Sequence, residues 1–131
     1  MKFTRIPFKT ELMAHKDLIN FLDSMEEDYE AFGAGGPDIY LNRYQVVGEI
    51  KKYHNAFNDA INEMFLRSGG KYDPLKCKAM FVLTPKGFFV FPNINGKYQL
   101  DAPEVFKLDE PEVFLLYCRN NFKRLPWYWA L

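Results

Sequence analysis

The chain has 131 residues, 48% apolar and 26% charged, and its 17 basic and 17 acidic side chains cancel. That size and balance specify a single domain over residues 1–131 that folds without disulfide staples. They exclude a chain disordered throughout, and one whose whole surface attracts polyanions. Thirteen Phe, eight Tyr and two Trp make rings an unusually large share of the material for a core or an interface.

Met1–Pro7 lacks the continuous apolar run of a secretory signal, and the apolar block Val113–Cys118 is too short to span a bilayer. Cys77 and Cys118 allow one disulfide but define no framework. These features lead to an expected cytoplasmic location with no membrane span.

Residues 2–8 read as an edge strand or extended arm, limited by Pro7. Thr10 is placed to cap a helix. Leu12, His15, Leu18, Ile19, Leu22, Met25, Tyr29 and Phe32 then step by threes and fours, predicting one helix up to the Gly33–Pro37 turn. Ile39 and Leu41 alternate like a strand fragment. Val47, Ile50, Tyr53, Phe57, Ile61 and Met64 form a second helical stripe ending at Ser68-Gly69-Gly70, with Gly48 weakening its start. The two helices are expected to pair antiparallel.

The character changes after Pro74. Cys77–Leu83 and Phe88–Phe91 are β-prone and flank Thr84-Pro85-Lys86-Gly87. Asn93-Ile94-Asn95-Gly96 is a second turn, and Lys97–Leu100 alternates as a third strand. Pro103–Leu108 is echoed by Pro111–Leu116. The second copy reads as a helix, because Asp109, Glu110 and Glu112 surround a Pro suited to a first turn, with a buried strand over Val113–Cys118 as the alternative. The predicted class is α+β: a helical hairpin packed on a small antiparallel β-meander, with a C-terminal helix and an aromatic tail.

Charge is uneven along the chain. Thr10–Gly36 carries seven acids and one base, and Arg67–Lys97 six bases and one acid. The two stretches either face each other or mark two poles.

Chemistry-bearing motifs are absent from the sequence. His15 and His54 fall on different predicted helices, with no ligand spacing around them. Ser24 and Ser68 sit in no nucleophile elbow. Gly33-Ala34-Gly35-Gly36 follows a helix and lacks the closing Lys-Ser or Lys-Thr of a phosphate loop. No catalytic residue, metal or cofactor is therefore assigned.

Two features read either as core or as a binding surface. Both tryptophans lie in the tail, where Arg124, Trp127, Tyr128 and Trp129 combine the residue types that dominate protein interfaces. The second hairpin interleaves Lys78, Lys86 and Lys97 with Phe88 and Tyr98, the pairing by which single-strand binders stack bases and neutralise phosphates. The leading expectation is a non-enzymatic protein–protein interaction module, of the kind found among accessory or inhibitor proteins of viruses and mobile elements. Its partner would be another protein or a second copy in a dimer. Single-stranded nucleic-acid binding by the hairpin is the alternative, and an enzyme with an unrecognised site the third reading.

Overall fold

Val46, Val47, Gly48, Glu49 and Ile50 are all buried, the signature of a strand covered on both faces. This segment, β3 (Val46–Ile50), is one of the two central strands of a six-stranded mixed sheet. The structure, a computed structural model, describes residues 11–32 and 36–122. Around β3 lie β1 (Tyr29–Ala31), β2 (Ile39–Leu41), β4 (Ala79–Thr84), β5 (Gly87–Pro92) and β6 (Glu104–Phe106), and spatial order follows chain order. Every pairing is antiparallel except β3 with β4, which is parallel, with Val46 opposite Ala79.

A parallel pair needs a long crossover. Residues 51–78 supply it through α2 (Phe57–Phe65) and two short 3₁₀ turns, His54–Ala56 and Pro74–Lys76. The other helices are α1 (Glu11–Ser24) and α3 (Pro111–Phe122).

Strand alternation divides the core in two. Ile39, Leu41, Val46, Ile50, Phe81, Leu83, Phe88 and Val90 pack against Leu18, Phe21 and Leu22 of α1 and Phe114, Leu115 and Cys118 of α3. On the opposite face Tyr40, Val47, Met80, Val82 and Phe91 pack against Ala60, Ile61 and Met64 of α2. The fold is α+β, as expected, with three helices and this sheet among the described residues. The expected helical hairpin is corrected: α1 and α2 lie on opposite faces of the sheet, which separates them. The meander is corrected too, because the sheet is mixed.

Three boundaries differ for identifiable reasons. α1 ends at Ser24, whose Oγ donates to Phe21 O at 2.6 Å. Glu26 then takes a positive φ of 55°, so Tyr29 begins a strand instead of a further turn. Val47 and Ile50 fit helical spacing equally well, but β-branched residues buried on both faces favour the sheet. The turn read at 93–96 forms one residue later, with Asn95 and Gly96 both at positive φ and Ile94 bridged to Lys97. No strand follows at 97–100, and the last strand among the described residues is β6. Residues 2–8 and Thr10 lie outside the described residues.

Among the described residues, no helix is long and apolar enough to cross a membrane.

Candidate interaction surface

Three segments converge at the outer side of α3: the chain after α1, the turn between β2 and β3, and α3 itself. Asn42 N and Nδ2 each reach Asp28, its carbonyl and its carboxylate, at 3.0 Å. This bridge fixes the first two segments together. It sets Glu27, whose side chain is wholly buried, against Tyr44 and Arg119. Tyr44 Oη donates to Glu27 Oε1 at 2.7 Å, and Arg119 Nη2 lies 3.3 Å from the same oxygen. Arg119 Nε lies 3.5 Å from Tyr44 Oη. Burial pushes the Tyr44 hydroxyl up, with Arg119 and Glu27 pulling in opposite directions. Hydrogen bonds to Tyr44 and Glu27 hold the Arg119 guanidinium charged. A buried carboxylate must be paired, and this pairing pins one end of Arg119 while its other end stays exposed.

Beside this clasp lies an apolar crevice of about 210 Å³, lined by Met25, Glu112, Leu115, Leu116 and Arg119. Leu116 is 51% exposed, neighbouring Val113 43% and Met25 38%. The surface thus has an apolar centre with an acid at one end and a base at the other. The sequence reading places Met25 on a helical stripe and Glu112 in a first turn, and assigns none of Met25, Glu112, Leu116 or Arg119 to a site. The available signal was that Val113–Cys118 is apolar all round, a pattern that needs cover on more than the core side.

The basic hairpin does not assemble as expected. Lys86 occupies the β4–β5 turn, whereas Lys78 and Lys97 lie at the other end of those strands. Six residues of strand separate the two ends, about 20 Å. Phe88 is fully buried and stacked on Phe114 at 4.4 Å, so its ring is core and offers no surface to a base. Tyr98 is half-buried, donates to Pro74 O, and meets Phe65 edge-on at 5.8 Å. Lys78 Nζ donates to Phe122 O at 3.2 Å, at the wall of an open polar cleft of about 380 Å³ that also includes Asn93 and Asn121. Arg124, Trp127, Tyr128 and Trp129 lie outside the described residues.

A second polar cluster lies where the start of β2 meets the end of β3. Glu49 is buried, with Arg67 Nη2 2.6 Å from its Oε1. That contact is off the hydrogen-bonding direction, and Arg67 Nη2 donates to Gly36 O at 3.1 Å. Asp38 accepts from Ile50 N at 2.7 Å and faces His15 Nε2 at 3.4 Å. Burial first, and then the Asp38 carboxylate, push Glu49 up to about 8 against the pull of Arg67. The four groups join α1, β3 and the chain after α2.

The acidic and basic stretches are joined by charge at Glu30. Lys71 and Tyr72 both donate to Glu30, and Lys71 Nζ lies 5.0 Å from the Tyr40 ring centre. Cys77 and Cys118 are free, buried and on opposite faces of the sheet, which rules out a disulfide between them. Burial pushes the Cys77 thiol up to about 11 and raises that of Cys118 as well, so neither is poised as a thiolate. His54 Nδ1 lies 2.9 Å from the buried Thr84 Oγ1. Among the described residues, no group of three His, Cys, Asp or Glu is arranged to hold a metal ion.

No family model matches the chain, and no curated protein or solved structure is significantly similar to it.

Proposed function

We propose that this protein is a non-enzymatic protein–protein interaction module of the cytoplasm. It docks its partner on the α3 face and extends the contact with Arg124, Trp127, Tyr128 and Trp129. The observation that carries this reading is the crevice between Met25 and Leu116, with Glu112 and Arg119 at its ends. An apolar centre with a charged rim is the ordinary anatomy of an interface, and Arg is among the residues that anchor one. The Glu27–Tyr44–Arg119 clasp fixes the guanidinium before any partner arrives, which lowers the ordering cost of binding. The complementary partner offers a branched apolar side chain between a base and an acid. The nucleic-acid reading lacks comparable support, because its rings and lysines form no common platform.

Photo-crosslinking tests the docking face. Benzoylphenylalanine is placed at position 116 and, as a control on the opposite sheet face, at the exposed position 66. The expected result is a discrete adduct from position 116 only, suppressed by excess unmodified chain but not by excess Leu116→Glu chain. Equal adducts from both positions, or none from either, would overturn the docking reading.

A further inference from the structure

The α3 surface has a property that a foreign partner does not require: its charge pattern is its own complement. Glu112 and Arg119 are seven residues apart. Seven residues make nearly two helical turns, so the two project from one face, about 10 Å apart along the axis. Their midpoint falls between Leu115 and Leu116, the residues that line the middle of the crevice. A twofold axis through that midpoint, perpendicular to α3, reverses the helix direction. It sets Glu112 of each copy opposite Arg119 of the other and brings the two Leu116 side chains side by side.

We infer that the partner docked on α3 is a second copy of this chain, paired antiparallel about a twofold axis centred between Leu115 and Leu116. The inference rests on the docking reading above and names the partner. It is an isologous contact, in which one patch serves both sides and the assembly closes at two copies. Each Leu116 enters the apolar crevice beside the other copy's Met25, and the two Glu112–Arg119 pairs close its ends. One edge of each guanidinium is already held by Glu27 and Tyr44, so the pairing orders little that is not ordered beforehand.

Glu104 and the exposed Val105 of β6 are not required by the pairing.

Sedimentation equilibrium on the full chain tests the inference. The expected result is a monomer–dimer equilibrium in the micromolar range, as small interfaces give. Leu116→Glu places two carboxylates at the axis and should weaken the dimer at least about tenfold. Glu112→Arg sets two guanidinium groups against each other in both pairs and should weaken it several-fold, more so at low salt. Both positions are exposed, so circular dichroism should find both variants folded. A chain that stays monomeric up to about 100 µM, or a dimer unmoved by either substitution, would overturn the self-pairing. These outcomes leave the docking reading separately decidable. A position-116 adduct with a different protein keeps the docking face and removes the second copy, whereas no 116-specific adduct removes both.

Discussion

Gly48 carries information that its residue type alone does not convey. In the sequence it reads as a helix weakener, but in the fold it makes room on the α1–α3 side of β3. A Cβ at this position would fall 2.2 Å from Phe81 Cε1 and Cζ. Phe81 cannot swing away, because it is fully buried with its centroid 4.9 Å from Phe114, itself stacked on Phe88. Gly48→Ala should therefore destabilise by about 1–3 kcal/mol through overpacking. Urea denaturation checks this, and a change below the error of the measurement would mean that the ring has space the packing does not reveal.

Glu49, the next residue along β3, makes a different prediction. Its pKa of about 8 stands above the ordinary 4.5, so between those values the folded chain binds more protons than the unfolded one. The stability it contributes is full below about pH 4.5 and is lost as pH rises through about 8. His54 has the opposite slope, because burial and then Lys86 lower its pKa and favour folding as pH rises. The informative quantity is therefore wild-type stability minus that of Glu49→Gln. This difference should fall steadily from about pH 5 to about pH 8. A difference that is flat or rises over that window would refute the assignment.

At the scale of elements, polar clasps at the sheet margins link helices and strands that the periodic pattern alone does not bring together. Tyr44, in the turn between β2 and β3, is fully buried yet reaches Glu27 in the chain after α1, and Arg119 closes the pair from α3. Removing either donor leaves a buried carboxylate short of a partner. Tyr44→Phe and Arg119→Ala should each cost about 1–3 kcal/mol, the arginine toward the low end because its exposed end is solvated. The double variant should cost less than their sum, since both act on Glu27 Oε1. Simple additivity in a double-mutant cycle would mean that the three groups do not act as a unit.

The hairpin of β4 and β5 was readable because its turn residues and β-formers agree, as was α3 because Pro111 and its acidic neighbours mark a start. The two similar segments 104–106 and 112–114 form strand and helix respectively, and only the flanking cap residues distinguish them. Periodicity misled where it was ambiguous. Val47 and Ile50 match three-residue spacing as well as a strand buried on both sides, and Tyr29 matched the α1 stripe until the positive φ at Glu26 broke it. Among the candidate binding residues, Phe88 was misassigned because a β-prone ring carries no mark of which face it takes. That face is set by the register Leu83↔Phe88 and by α3 lying above it.

At the scale of the whole molecule, one parallel pair organises the fold. Because β3 and β4 run the same way, the chain must cross over one face, and α2 covers that face while α1 and α3 cover the other. Every contact described above ends at or before Phe122. A chain terminated after Leu125 retains all of them and loses Trp127, Tyr128 and Trp129. It should unfold in a single cooperative urea transition, within about 1 kcal/mol of the full chain and with an unchanged denaturant slope. Weaker self-association than that of the full chain would assign the tail to the contact. If the shortened chain unfolds or aggregates, the tail belongs to the core and is not available as an anchor. If it folds and pairs as tightly as the full chain, the α3 faces suffice and the two tryptophans play no part in the dimer.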